Sequence, residues 1–157
     1  MKTEDVAVTD LKLMVGRDLG VSAWVEIDQG MIDAFAETTR DRQWIHVETQ
    51  KARDESPYGA PIAHGFLILS LVPAMTEELQ VRPAGVDVII NYGLDKLRFL
   101  SPVKAGARVR LRGKLLSVIE KGDGQHLMKT LNTMEIEGEE KPAFVAETLM
   151  LLVEKKI

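Results

Sequence analysis

Between Gly65 and Leu79 the chain encodes a helix with almost no polar side. Leu67, Ile68, Leu71, Val72, Met75 and Leu79 recur at helical spacing and cover most of its circumference. Such a helix cannot lie on a surface and has to be buried on most sides. Pro73 falls inside the run and cannot donate to the carbonyl of Leu69, so a kink or an early end is expected there. The longest apolar stretch, from Phe66 to Met75, is broken by Ser70 and Pro73. It is far shorter than the roughly 20 residues needed to cross a bilayer, so it reads as a core helix and not as a membrane span.

The rest of the chain supplies what could enclose it. Val21 to Ile27 reads as a short strand. Asp28 offers an N-cap to a helix whose Met31, Ile32, Phe35 and Ala36 share one face. That helix should fade at the β-branched pair Thr38–Thr39, which leaves Asp41 in the loop beyond it. A short polar helix fits Glu48 to Glu55, and "SPYGAP" is loop chemistry. After Gly85 everything reads as strand. From Ala107 to Ile119, Ala107, Val109, Leu111, Gly113 and Leu115 alternate with Arg108, Arg110, Arg112 and Lys114, giving one dry face and one wet face. "KGDG" at Lys121 to Gly124 and "EGEEKP" at Glu137 to Pro142 are hairpin turns. "VDVIINY" and "LDKLRFL" flank Gly93, which marks a bulge or a bend.

Successive hairpins make an antiparallel sheet, and a helix without a polar face needs a curved sheet wrapped around it. The expected architecture is therefore α+β, a single hot-dog domain over residues 1–157 with an antiparallel sheet around a buried central helix. One sheet and one helix leave apolar surface uncovered, so a homodimer is expected.

Composition excludes several function classes. The formal net charge of −4 argues against non-specific nucleic-acid binding. Cysteine is absent, which removes disulfide frameworks, thiolate nucleophiles and cysteine zinc sites. The N-terminal "MKTEDVAVTD" has no apolar centre and does not read as a signal peptide. A cytoplasmic protein with no membrane partner is expected.

Few side chains could carry chemistry. Asp41 and His46 can be read as a turn cap and a loop histidine, or as an acid and an imidazole brought together in a cleft. Trp44 and Ile45 between them favour a loop packed down, where burial shifts pKa values. His64 and Gly65 can be read as a plain helix start, with His64 a structural hydrogen-bonding residue. Alternatively, the first-turn N–H groups hold a developing oxyanion, with Gly65 admitting a ligand close to the backbone. A metal site of Asp41, His46 and His64 is disfavoured, because no pair sits at i, i+4 spacing and there is no thiolate. No serine stands in a nucleophile-elbow context. The row from Arg108 to Lys114 reads as a solvated strand face, with a grip on an anionic coenzyme phosphate as the other reading. His126, just after a hairpin turn, is expected at the surface, and the seven methionines read as core filler.

The segments "DRQWIH" and "YGAPIAHG" together resemble the MaoC-like dehydratase family, which includes the R-specific enoyl-CoA hydratases. The similarity extends over most of the chain, with "NYGLDKLRFLSPVKAG" (Asn91 to Gly106) similar to the family's strand pair and turn. Gln43 and Trp44 stand where many members have Asn-Pro, and in this the chain is most similar to the nodulation protein N-like branch. The resemblance implies that Asp41 and His46 are the catalytic pair and that the Gly65 amide holds the thioester oxygen. It implies that His64, Ala63, Trp44, Gln43, Asn91, Tyr92 and Gly93 form the substrate site. It further implies hydration of trans-2-enoyl thioesters to (R)-3-hydroxyacyl thioesters and the reverse dehydration. No metal or redox cofactor would be needed, and CoA or an acyl-carrier protein would be part of the substrate. A non-catalytic acyl-thioester-binding protein and a hot-dog thioesterase remain open alternatives on the same fold.

Overall fold

Asp28 starts the first helix as its position suggests: its carboxylate accepts from the Met31 N–H at 2.8 Å and caps α1 (Gln29–Thr39). The helix ends at Arg40, which takes a left-handed conformation with φ 63°. In this computed structural model, which describes residues 3–155, the elements before and around α1 are β1 (Glu4–Ala7), a 3-10 turn (Leu11–Met14), β2 (Asp18–Val21) and β3 (Val25–Ile27). Then follow α2 (Trp44–Val47), α3 (Thr49–Glu55), α4 (Gly65–Ser70), α5 (Val72–Thr76), β4 (Val81–Ala84), β5 (Val86–Phe99), β6 (Ala107–Gly122), β7 (Gln125–Ile136) and β8 (Phe144–Glu154).

The main sheet has the order β2-β6-β7-β8-β5, with β3 also paired to β6, and every pairing in it is antiparallel. The face toward the helix carries the dry side chains. Along β7 burial alternates without a break, placing His126, Met128, Thr130, Asn132, Met134 and Ile136 inside. On β6, Val109, Leu111 and Leu115 are fully buried. Gly113 continues that inner row: a Cβ there would lie 2.7 Å from Leu79 Cδ1, so the missing side chain is what lets Leu79 reach the sheet. The central helix packs Leu67, Ile68, Val72 and Met75 against Val109, Leu111, Met134 and Phe144. A second apolar cluster forms around Leu11, Leu19, Leu79, Leu115, Met128 and Leu152. Buried Thr130, Asn132 and Thr148 hydrogen-bond to one another at 2.7–3.0 Å on the same inner face.

The fold is the hot-dog arrangement, an α+β layer of sheet around helix, and several details differ from the sequence expectations. Val21–Ile27 is not one strand. It breaks at Ser22, whose hydroxyl accepts from the Leu111 N–H and thereby keeps contact with β6 across the gap. The break expected near Pro73 is present: the central helix is split at Leu71, whose N–H bonds Ile68 in a tighter turn, and Pro73 falls in the first turn of α5, where its missing donor is tolerated. "VDVIINY" and "LDKLRFL" form the single strand β5, bulged where the pairing steps from Asn91 to Gly93, so that Tyr92 is the extra residue. A short parallel pair, β1 with β4, lies outside the main sheet. Trp44–Val47 forms one helical turn where a loop was expected. His126 is buried at 6 % exposure, because inward-facing β7 carries it to Glu154 on β8, with Nε2 and Oε1 2.8 Å apart.

The basic row is not simply solvated. Arg110 and Arg112 both bond Glu135, Arg112 also reaches Asp18, and Arg108 pairs with Glu137. Those acids offset part of the row's positive charge, and Lys114 stays exposed. Nor is the central helix wholly enclosed, since Phe66 is 66 % exposed. Among the described residues no helix is long and apolar enough to cross a membrane.

Candidate active site

His46 reaches the protein interior because α2 turns it inward from the loop after α1. The turn is held at both ends: the His46 N–H bonds the Gln43 carbonyl, and the His46 carbonyl accepts from Gln29 Nε2 on α1 at 2.8 Å. Its imidazole Nδ1 lies 2.6 Å from the Ile62 carbonyl. A carbonyl only accepts, so Nδ1 carries the proton and Nε2 is left with a free lone pair. Burial pushes the His46 pKa below its ordinary value, and the nearby His64 lowers it further. The Ile62 bond and the Asp41 charge pull upward without prevailing. The ring is therefore a neutral acceptor near pH 7.

Ile62 belongs to the segment that leads into α4. Its N–H bonds the Ile45 carbonyl at 3.1 Å, and the Ala63 N–H bonds the Val103 carbonyl at 2.7 Å. His64 follows as the N-cap residue of α4, and Gly65 is the helix's first residue. The first N–H groups of a helix have no intrahelical acceptor. A Cβ on Gly65 would lie 2.9 Å from the Phe99 ring, so this glycine allows β5 to close on the start of the helix.

A cleft of about 460 Å³ opens between these elements. It is lined by His46, Ala63 and Gly65 on one side and by Phe99, Ser101 and Phe144 on the other, with Tyr58 and Phe66 at its rim. Asp41 is exposed and sits beside the cleft, not in its wall, yet Asp41, His46 and His64 each offer an atom within 4.8 Å of the others. Gln43 is exposed, and half-buried Trp44 packs its ring beneath Lys51 Nζ at 5.0 Å; neither lines the cleft. Asn91, Tyr92 and Gly93 line a second cavity of about 390 Å³ with Ser70 and Pro73. Folding thus gathers Asp41, His46, Ala63, His64 and Gly65, and sets the Asn91–Gly93 bulge further along the helix. Tyr58, Phe99, Ser101 and Phe144 escaped the sequence reading. Phe99 and Phe144 are cross-strand partners on β5 and β8, a pairing that no local spacing announces.

Asp41, His46 and His64 have the composition of a metal-binding trio, but their geometry opposes it. The two imidazoles stack with centroids 3.8 Å apart and planes 27° apart. Ring lone pairs lie in the ring planes, so stacked rings do not converge on a common ion. His64 Nε2 is also already committed to the Asp41 carbonyl at 2.8 Å.

Residues 10–137 match the MaoC like domain, which is most of the chain. The chain belongs to the MaoC-like dehydratase family. Among MaoC-like relatives, it is 42% identical over 147 residues to 3-hydroxyacyl-thioester dehydratase Z of Mycobacterium tuberculosis, covering 94% of this chain and 96% of that protein. It is 40% identical over 148 residues to nodulation protein N of Rhizobium leguminosarum bv. viciae, covering 94% and 92%. The MaoC-like fold is shared with an unliganded R-hydratase from Pseudomonas aeruginosa, at a TM-score of 0.72 and 22% identity, covering all of this chain and 92% of that one.

Proposed function

We propose that this MaoC-like protein is a lyase that interconverts trans-2-enoyl thioesters and (R)-3-hydroxyacyl thioesters. One observation carries the reading. A buried imidazole with a ring nitrogen within 4.8 Å of a carboxylate oxygen shares a cleft with the start of the central helix, in a chain closely similar to a named 3-hydroxyacyl-thioester dehydratase.

Hydration needs a water activated at C3, a proton delivered to C2, and stabilisation of the charge on the thioester oxygen between those events. His46 Nε2 and the Asp41 carboxylate are both acceptors, and a water has two hydrogens to give them. One of the pair takes a proton as the oxygen bonds to C3, and the same proton is then returned to C2. Gly65, the first residue of α4, lines the cleft, and its N–H donates to the thioester oxygen while that oxygen carries the enolate charge. Dehydration runs the same steps in reverse. Only a proton and water move, so the chemistry calls for no metal or redox cofactor. CoA or an acyl-carrier protein would bring the acyl group as substrate, which fits a cytoplasmic enzyme.

The second cavity gives Asn91, Tyr92 and Gly93 a place in this reading. It lies between the helix and the β5–β8 edge, on the side where Leu69 and Ser70 follow Ile68 of the first cleft. An acyl chain continuing along the helix would meet it. A homodimer suits the same edge. Among the described residues β5 pairs only with β8, and Val88, Ile89, Ile90, Tyr92 and Leu94 on it are 44–60% exposed. Pairing of β5 with its copy would cover that apolar edge. Sedimentation giving a compact monomer at micromolar concentration would remove the dimer.

The test is turnover of crotonyl-CoA followed at the enoyl absorbance, with a free-thiol assay beside it. Loss of the enoyl signal without thiol release is expected. Thiol release instead would make the protein a thioesterase, and binding without either would make it a carrier.

A further inference from the structure

The proposed machinery comes from three separate pieces of chain: Asp41 from the loop after α1, His46 from α2, and the Gly65 amide from α4. One side chain touches all three. His64 Nε2 lies 2.8 Å from the backbone carbonyl of Asp41, so its N–H donates across a separation of 23 residues. Its ring stacks on His46 at 3.8 Å, and it immediately precedes Gly65 as the N-cap residue of α4. Phe35 on α1 lies against it at 5.0 Å, and the residue is only 2 % exposed.

The loop is tied to α1 by Arg42, whose guanidinium bonds Glu37 at 2.6 Å and whose N–H bonds the Arg40 carbonyl, but neither contact fixes the Asp41 carbonyl. Arg40 opens the loop with φ 63° and ψ 15°, a left-handed conformation that is costly for a residue with a Cβ. Such strain persists only where the surroundings over-determine it. The Asp41 N–H makes a long bond, 3.4 Å to the Thr39 hydroxyl, and that bond does not orient the carbonyl. The His64 Nδ1 atom is buried and has no hydrogen-bond partner among the described residues. A buried acceptor left unpaired opposes stability, and a phenylalanine would fill the same space without one. The imidazole is thus a poor choice for packing alone, and what it adds over an apolar ring is the Nε2 donor.

We propose that His64 is a positioning residue: through its bond to the Asp41 carbonyl and its stack on His46 it holds the acid and the imidazole in register, without touching substrate. This rests on the hydratase reading above. His64 is absent from the cleft wall, so removing its donor acts on the placement of Asp41 and not on the contact surface for the thioester.

The experiment compares wild type, His64→Phe and His64→Gln in crotonyl-CoA hydration, with the thermal midpoint of each. His64→Phe keeps the ring and loses the donor. It should lower kcat by about 10–100-fold, the scale on which small misplacements act, with KM within about threefold and the midpoint no lower than wild type. The side-chain amide introduced by H64Q can place an N–H near the position of Nε2 and should recover most of the lost kcat. If H64F turns over like wild type, the proposal is overturned. It is equally overturned if H64Q and H64F are equally slow and both melt early, because His64 is then a packing residue. Nitrogen NMR of the wild type gives a reading that does not depend on either variant folding: His64 must be protonated on Nε2 and bare on Nδ1, and the opposite tautomer refutes the clamp. A wild type that hydrates no enoyl thioester refutes the hydratase reading, and with it the catalytic consequence assigned to His64. That outcome is distinct from an active wild type with an equally active H64F.

Discussion

The imidazoles of His46 and His64 are stacked at 3.8 Å although 18 positions separate them in the chain, and each has one nitrogen bonded to a backbone carbonyl. The two carbonyls, of Ile62 and Asp41, fix both tautomers. They leave Nε2 of His46 as a free acceptor, on a ring that has a nitrogen within 4.8 Å of a carboxylate oxygen of Asp41.

If Asp41 and His46 hold one water between them, they act as a unit. Asp41→Asn keeps the shape and should lower turnover of enoyl thioesters by at least about 10²-fold, while thioester binding survives. The His46→Ala variant should be similarly impaired. The double mutant should lose little beyond either single one, since effects within a catalytic unit are not additive. Steady-state hydration of crotonyl-CoA by the four proteins, with binding measured in parallel, checks this. Wild-type turnover in D41N would defeat the mechanism.

The pH dependence follows from burial of His46. Its folded-state pKa lies below the ordinary 6.5. The acid limb of kcat/KM, where the neutral imidazole is lost, should therefore fall below about pH 6.5. Stability has the same sign. The neutral form is the one that folds well, so the His46 contribution is fully present above about pH 6.5 and is lost as pH falls toward the folded value. The His46→Gln variant should flatten that part of the stability–pH curve, measured as the thermal midpoint between about pH 7.5 and about pH 5, either side of the ordinary histidine value.

Gly65→Ala places a Cβ against the Phe99 ring, 2.9 Å away before relaxation. Phe99 is 45% exposed and can swing outward, so the stability loss should stay below about 1.5 kcal/mol. Catalysis should suffer more, through a narrowed cleft and a displaced amide, with KM raised and kcat lowered. Adding Phe99→Leu should recover part of the loss. If the double variant is no better than G65A alone, crowding by Phe99 is not the cause.

Ser70 and His126 should be dispensable to the chemistry. The Ser70 hydroxyl donates to the Leu67 carbonyl within α4, and His126 bonds Glu154 on the sheet's inner face. Ser70→Ala and His126→Ala should keep kcat within about tenfold, roughly 1.4 kcal/mol of barrier. His126→Ala should cost about 1–3 kcal/mol of stability, because it empties a buried, hydrogen-bonded position. A thousandfold loss of kcat in either variant would show that a catalytic group had been misplaced.

Local pattern carried the reading of the chain wherever one face of an element meets the core. The Asp28 cap, the period-two alternation of β6, the apolar helix with its break near Pro73, and the paired motifs around Asp41–His46 and His64–Gly65 all depend on neighbours within a few residues. Even the burial of His126 was legible in principle, since it shares parity with Met128, Met134 and Ile136 on β7. The hairpin turn beside it suggested a surface instead. Tertiary structure alone decided the rest. It chose which carbonyls orient the two imidazoles, and it stacked those rings so that a trio with metal-binding composition does not converge on an ion. It closed Phe99 over Gly65 through pairing with β8, and it moved the Asn91–Gly93 bulge to a second cavity. Each of these is set by strand register or by a contact across many residues. Periodicity reports which way a side chain points; only the closed fold determines what stands opposite it.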